Sequence, residues 1–205
     1  MPQVKSPKEL FVHELQDVYY AEKLLTRVLP QLAQESTDRE LTRAFNSHHK
    51  ETQKQVANLE KVFQKLGERA QAEHCPGIEG IKKEHDDFMR EQQNGRSQIV
   101  DAFLTGAASR TEHYEIAAYT GLISMARALG ERDSVRLLEQ NLRQEKEALK
   151  KVESISKRIV KDATKSAKPP ARRSRSTSRA SGRSSTSRTR RASTSRARTS
   201  ATRSR

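Results

Sequence analysis

The stretch TEHYEIAAYTGL, residues 111–122, decides the fold, because it places acidic side chains on the apolar stripe of a helix. Ala108, Glu112, Glu115 and Tyr119 follow one another at spacings of four, three and four residues, which is the periodicity of one helical face. A face that otherwise consists of core residues therefore contains two carboxylates. This combination indicates a helical protein with a polar site in its interior.

Four long segments share this helical periodicity of apolar residues, at about 7–35, 38–66, 97–129 and 132–160. Short joints at 36–38 and 130–131 connect the first segment to the second and the third to the fourth, so each pair is expected to form an antiparallel hairpin. The long connection 67–96 lies between the pairs and contains a short helical pattern of its own. A hairpin, a long crossover with a short helix, and a second hairpin predict an all-α, ferritin-like four-helix bundle.

The net charge of +14 belongs to one end of the chain. Of the 40 Lys and Arg residues, two Lys and twelve Arg lie between Lys165 and Arg205, a segment without Asp or Glu. Residues 1–162 hold the other 26 basic residues and all 26 acidic residues, so they are neutral. Residues 171–205 contain only Arg, Ser, Thr, Ala and one Gly, which cannot form a core. We predict a bundle domain over 1–162 and a disordered Arg/Ser/Thr-rich tail over 163–205.

Several classes of protein are excluded by composition. No run of about 18 apolar residues is present, so we expect no transmembrane helix. The N-terminal MPQVKSPKEL has no hydrophobic segment and is not expected to be a secretory signal. Cys75 is the single cysteine, which excludes a disulfide framework and favours a reducing, cytoplasmic location.

Acidic residues interrupt each of the four apolar stripes near its middle. Glu22, Glu51, Glu115 and Glu145 lie at equal distances from the two short joints to within one residue, or about 1.5 Å along a helix axis. They are therefore expected to share one layer of the bundle. A His and a further Glu lie one helical turn away on the same faces. The candidate metal ligands are Glu22, His48, Glu51, Glu112, Glu115 and Glu145.

The cost of burying charge indicates what this layer does. An unpaired, ionised carboxylate costs several kcal/mol to bury, whereas the whole stability of a domain is about 5–15 kcal/mol. Two divalent cations bridged by Glu and bound by His would neutralise the layer, and such ligands suit iron or manganese. We predict a di-iron or di-manganese centre. The alternatives are protonated carboxyl groups and a vestigial or salt-bridged polar layer.

Four strings together resemble a known family. ELFVHELQDVYYAEKLL (9–25), HHKETQKQVANLEKVFQKLG (48–67), EHYEIAAYTGL (112–122) and EKEALKKV (145–152) are similar to the YciE/YciF group of ferritin-like, stress-associated bacterial proteins. The resemblance covers about residues 8–160. It implies a ferritin-like fold, a homodimer and a role in the stress response, and it implies nothing about the tail, whose composition is similar to that of histone-H1-like tails.

The sequence departs from the usual ligand pattern of ferritin-like di-iron sites, which use Glu on two helices and Glu-x-x-His on the other two. Lys54 stands three residues after Glu51, and Ala148 stands three residues after Glu145. The order on the second long segment is instead His48-x-x-Glu51.

The basic tail predicts a partner. Arginine without acid binds polyphosphate through the release of counterions, and the tail has no aromatic residue on which single-stranded bases could stack. Double-stranded DNA, and hence a nucleoid-associated location, is favoured over RNA; membranes and ribosomes are the alternative anionic surfaces. The candidate DNA-binding residues are Arg172, Arg173, Arg175, Arg179, Arg183, Arg188, Arg190, Arg191, Arg196, Arg198, Arg203 and Arg205.

These patterns lead to one functional hypothesis and two alternatives. The hypothesis is a ferritin-like stress-protection protein that binds iron or manganese and is tethered to DNA by its tail. One alternative is an enzyme, a ferroxidase or a peroxide-consuming, catalase-like oxidoreductase. The other is a metal-free dimer that bridges DNA.

Overall fold

The computed structural model describes residues 3–166, which form five α-helices. The helices are α1 (Pro7–Glu35), α2 (Arg39–Leu66), α3 (Pro76–Glu91), α4 (Gln98–Ala128) and α5 (Arg132–Ser166). The predicted all-α fold is confirmed, with α3 as the short helix inside the crossover.

The last helix is longer than the sequence pattern indicated. α5 continues past the predicted end near residue 160 and reaches Ser166. From residue 167 onward the predicted tail, with all of its candidate DNA-binding arginines, lies outside the described residues. The domain boundary at residue 162 stays a prediction.

The four long helices form a ring in which α1 packs on α2 and α4, and α5 packs on α2 and α4. Two neighbouring pairs in the ring, α1 with α4 and α2 with α5, are not joined by a short loop. Contacts between the helix ends show how the members of these pairs are oriented. Asp101 at the start of α4 accepts a hydrogen bond from the backbone N–H of Thr37, just after α1 (2.8 Å). Arg158 near the end of α5 donates to Asp38, which caps the start of α2 (2.8 Å). Each helix therefore runs antiparallel to both of its neighbours in the ring.

Local sequence chemistry sets the helix ends. The side chain of Asp38 accepts hydrogen bonds from the N–H groups of Glu40 and Leu41 and so begins α2. Gly67 ends the same helix with a φ of 72°, a left-handed conformation that glycine adopts without steric cost. Pro30 lies inside α1 without ending it, although its ring and its missing N–H usually kink or break a helix.

Two separate hydrophobic clusters make up the core. One contains buried side chains from 21–33 of α1, 41–45 of α2, 100–108 of α4 and 152–159 of α5, together with residues of the crossover. The other contains buried side chains from 11–19 of α1, 59–66 of α2, 119–126 of α4 and Leu138 of α5. Most buried polar residues of α2, α4 and α5 lie between these two sets in sequence, so a polar layer divides the core of the bundle.

Candidate metal centre

Four buried side chains meet in the polar layer. His48 of α2, Glu112 and Glu115 of α4, and Glu145 of α5 each offer one ligand atom, and these atoms all lie within 4.8 Å of one another. We call them the four-residue cluster. Their exposed fractions are 6% for the His and between 0% and 3% for the carboxylates.

His48 lies between the carboxylates. Its Nε2 is 3.3 Å from Glu112 Oε1 and 3.6 Å from Glu145 Oε2. Its Nδ1 is 3.6 Å from Glu51 Oε2, on the next turn of α2. These are spacings at which an imidazole and carboxylates can share a cation, and they are longer than good hydrogen bonds.

Several ligand atoms of the layer have no hydrogen-bond partner. Both carboxylate oxygens of Glu115 are buried without one, as are Oε2 of Glu22, Glu112 and Glu145 and Nδ1 of His48. Buried polar groups in folded proteins are nearly always hydrogen-bonded. A group of unpartnered ligand atoms in one place therefore needs a physical explanation. A cation among them would supply it.

The same burial changes the proton affinity of the carboxyl groups. Burial raises the pKa of Glu115 well above its ordinary value, and the negative charges of Glu145, Glu22 and Glu112 raise it further. Burial likewise raises the pKa of Glu112, with Glu145 as the next cause. The pKa of Glu145 is also raised by burial, although the nearby His48 opposes the shift. Without a cation these carboxyl groups therefore keep their protons to a higher pH than exposed carboxyl groups do.

Glu22 lies in the layer but is not one of the four-residue cluster. It is completely buried, and its Oε1 accepts a hydrogen bond from the Tyr119 hydroxyl. Burial raises the pKa of Glu22, and the charge of Glu145 is the second cause, so the two carboxylates are near each other. Its Oε2 is buried without a hydrogen-bond partner, so Glu22 could serve as a fifth ligand, from α1.

Glu51 lies at the edge of the site. Its side chain is 32% exposed, and His48 lowers its pKa. The sequence thus placed six candidate ligands together; the structure brings four of them into one cluster, puts Glu22 in the same layer and leaves Glu51 partly in solvent. The role of all six as ligands stays a prediction.

Four buried polar residues beside the cluster escaped the sequence analysis. They are Thr52, Gln55 and Asn58 of α2 and Asn141 of α5. Gln55 Nε2 donates to Glu145 Oε1, while Asn141 Nδ2 donates to the Tyr119 hydroxyl (3.0 Å). Their spacing from His48 and Glu145 could have indicated that they are buried, because residues three or four positions apart share one face of a helix.

A chain of hydrogen bonds through Asn58, Asn141 and Tyr119 determines which group donates at each step. Asn58 Nδ2 donates to Asn141 Oδ1 (2.8 Å), and Asn141 donates to Tyr119, whose own proton is then directed to Glu22. Tyr119 thus holds Glu22 at its Oε1, and Gln55 holds Glu145 at its Oε1, which leaves the Oε2 of each carboxylate for a ligand. The residues present fit a cation that prefers carboxylate and imidazole ligands.

Comparison with known proteins places the chain in a family. A family model described as a domain of unknown function, DUF892, matches residues 6–165. The chain belongs to the DUF892 family. Protein YciF of Escherichia coli K12 is 34% identical to it over 144 residues, which is 70% of this chain and 86% of YciF. The predicted resemblance to the YciE/YciF group is therefore confirmed.

Solved structures of DUF892 relatives share the fold. The structure of the E. coli stress protein YciF matches with a TM-score of 0.72 and 32% identity, covering 77% of this chain and 98% of YciF. YcfI from Rhodopseudomonas palustris matches with a TM-score of 0.71 and 39% identity, covering 74% of this chain and 96% of YcfI. Neither match extends over the whole chain.

No helix within residues 3–166 is both long enough and apolar enough to cross a membrane. This agrees with the expectation from composition. The predicted DNA contacts are not tested by these comparisons, because the arginines that would make them lie beyond residue 166.

Proposed function

We propose that this DUF892 protein is a stress-protection protein whose bundle binds a pair of divalent cations, iron or manganese. The observation that carries the proposal is the set of buried, unpartnered carboxylate oxygens around His48. His48, Glu112, Glu115 and Glu145 would hold the cations, with Glu22 as a further ligand. A bound iron or manganese ion would supply one-electron redox chemistry toward oxidants.

The protein's own part in this chemistry is to orient ligands and to exclude water. Gln55 and Tyr119 hold one oxygen of Glu145 and of Glu22 respectively, so these carboxylates are positioned before a cation arrives. The hydrophobic clusters on both sides of the layer separate it from solvent along the bundle axis. Glu51, being partly exposed, is suited to pass cations from solvent to His48.

Metal content tests the proposal. The full chain is purified without added metal, its metals are measured by mass spectrometry, and the metal-free protein is then titrated with iron(II) and manganese(II). We expect binding at micromolar concentrations or tighter, with the capacity reduced in Glu115→Gln. Glu147→Gln, on the exposed side of α5, is the matched control and should bind as the wild type does. Wild-type protein that binds neither metal would show that the layer is structural.

A second function, tethering to double-stranded DNA, is favoured by the distribution of charge. Twelve Arg residues lie in the last 35 residues, while residues 1–162 are neutral. DNA affinity should therefore reside in the tail and depend steeply on salt. If six to ten phosphates are contacted, affinity should fall by about 10³–10⁵-fold between 50 and 200 mM salt.

Deleting residues 167–205 tests the tether, because this cut leaves α5 complete. The truncated protein should lose nearly all affinity for duplex DNA in a gel-shift titration, and a tail with shuffled order should keep it. A truncated protein that still shifts duplex DNA at physiological salt would refute the assignment. The same preparations, measured by light scattering, decide whether the protein is a dimer.

The enzymatic alternative is distinguished from metal binding alone by measuring turnover. A ferroxidase or catalase-like protein would turn over iron(II) or peroxide many times per site, whereas a protective binding protein need only sequester the metal. A metal-free, DNA-bridging dimer would bind no cation and would aggregate DNA through two tails.

A further inference from the structure

An apolar pocket adjoins the candidate metal centre. Its volume is about 50 Å³, and all five helices contribute to its walls. Representative wall residues are Leu29 of α1, Phe45 of α2, Ile81 of α3, Ala108 of α4 and Val152 of α5. The pocket reaches the metal centre at His48, Glu51 and Glu112.

The polar groups around the pocket, apart from those of the metal centre, are already occupied or face solvent. His85 Nε2 is 2.7 Å from Glu35 Oε2, and Lys82 forms an ion pair with Asp86. Thr111 donates to a backbone carbonyl of its own helix, and the Lys151 side chain belongs to an exposed residue. The walls therefore offer an incoming molecule apolar contacts and few free hydrogen-bonding groups.

Size and polarity together restrict the ligand. An apolar cavity of about 150 Å³ takes benzene or xenon in another protein, so a pocket of about a third of that volume excludes a ring of the size of benzene but has room for one small apolar species, such as dioxygen or a single xenon atom. Hydrogen peroxide would lose its hydrogen bonds to water on entering such walls, whereas dioxygen has none to lose. We propose that this pocket is a binding site for dioxygen, which it delivers to the His48–Glu112 edge of the metal centre. The choice of dioxygen rests on the proposed metal-binding function.

Xenon tests the site without metal. Metal-free, full-length protein with labelled methyl groups is equilibrated with xenon gas, and methyl chemical shifts are recorded by NMR. Ile78 and Ile81 line the pocket and should shift in a saturable way. Ile123 and Ile155 are about as buried as Ile78 but do not line the pocket, so they serve as internal controls and should not shift. Equal shifts at all four residues, or none, would overturn the proposal.

A substitution that fills the pocket can be compared with a matched substitution outside it. Ala44 lines the pocket and Ala33 does not, although both are 7% exposed and belong to the same hydrophobic cluster. Ala44→Leu should abolish the xenon shifts, and Ala33→Leu should retain them. Ala108→Val is the second filling variant in case Ala44→Leu does not fold. Xenon shifts that persist in a folded filling variant would contradict the assigned location.

The oxidant is then decided with the iron-loaded protein. A filling variant should react severalfold more slowly with dioxygen than the wild type, while its rate with peroxide stays close to that of the wild type. Equal slowing with both oxidants would refute selection for dioxygen. Protein that binds metal but not xenon would overturn the pocket alone; protein that binds xenon but no metal would overturn the proposed function and, with it, the choice of dioxygen.

Discussion

Replacing Glu115 with Gln should stabilise the metal-free protein and destabilise the metal-loaded protein relative to the wild type. Glu115 is 1% exposed, and neither of its carboxylate oxygens has a partner. In the metal-free protein its charge is opposed by burial and by three neighbouring carboxylates. With a cation bound, the same charge becomes a ligand. The substitution therefore has opposite effects in the two states.

The size of the effect follows from the burial of the layer. Holding an unpaired charge in a protein interior costs several kcal/mol, so removing the charge of Glu115 should stabilise the metal-free protein by a few kcal/mol. For a chain of this length each kcal/mol shifts the melting temperature by about 2–4 °C. In the opposite direction, a metal at a hundred times its Kd stabilises the wild-type protein by about 2.7 kcal/mol, a gain that the variant should lose.

The dependence on pH has a definite sign. The pKa of Glu115 is raised in the folded protein, so as pH rises above about 4.3, its usual value, the unfolded chain ionises while the folded chain still holds the proton. The unfolded state then binds fewer protons, and the stability of the metal-free protein falls with rising pH until the folded pKa is passed. Glu22, Glu112 and Glu145 act in the same direction.

Thermal unfolding of wild type and variant, between pH 5 and pH 8 and with or without metal, checks this reasoning. The metal-free wild type should melt at a lower temperature at pH 8 than at pH 5, and Glu115→Gln should reduce that difference. Glu147→Gln, which lies in solvent, should change neither curve. A variant that is less stable than the wild type in both states, at every pH, would show that Glu115 is a structural residue and refute the argument.

Three further predictions concern a hydrogen bond of the polar layer, a glycine at a helix end and the basic tail. Tyr119→Phe removes the hydrogen bond to Glu22 and should weaken metal binding by about 10–100-fold in a titration; unchanged affinity would exclude Tyr119 from positioning that ligand. Gly67→Ala should destabilise by about 1–2 kcal/mol in denaturant unfolding, because φ is 72° there. Gly80→Ala, inside a helix with open space around it, is the control and should stabilise by about 0.5–1 kcal/mol. Deleting 167–205 should leave the melting temperature of the bundle and its metal binding unchanged; a large shift in either would show that the tail contacts the bundle.

The long helices could be predicted from sequence because their apolar stripes are strong and their joints are short. The register of α5 was harder. The apolar spacing along α5 predicts Val135, Leu142 and Leu149 on its core stripe, but these side chains are only partly buried. Asn141 and Ala148 occupy buried positions instead. A helix with apolar residues on two adjacent rows has two nearly equivalent registers, and packing against the neighbouring helices decides between them.

The polar residues beside the cluster were missed for a related reason. Gln55, Asn58 and Asn141 lie in helices rich in charged side chains, where amides are usually at the surface. The free-energy cost of burying these amides is offset because each one forms a hydrogen bond with another side chain of the layer. Such pairings join residues 83 and 90 positions apart in sequence, so helical spacing indicates which face these residues share but not which side chain each one contacts.

Charge balance connects the unusual ligand order on α2 with the number of cations. Because the His precedes the Glu, the imidazole of His48 occupies the layer and Glu51 is displaced toward solvent. The buried layer then contains four carboxylates, Glu22, Glu112, Glu115 and Glu145, together with one imidazole.

Two divalent cations neutralise four carboxylates if the imidazole is uncharged. A single divalent cation leaves two negative charges, which burial would force to take up protons, as the raised pKa values of these groups indicate. The layer is therefore matched to two cations when fully ionised and to protons when empty. Under the proposed function, cations and protons would compete for the same buried oxygens, and this competition is why one neutralising substitution is expected to stabilise the empty bundle and to destabilise the occupied one.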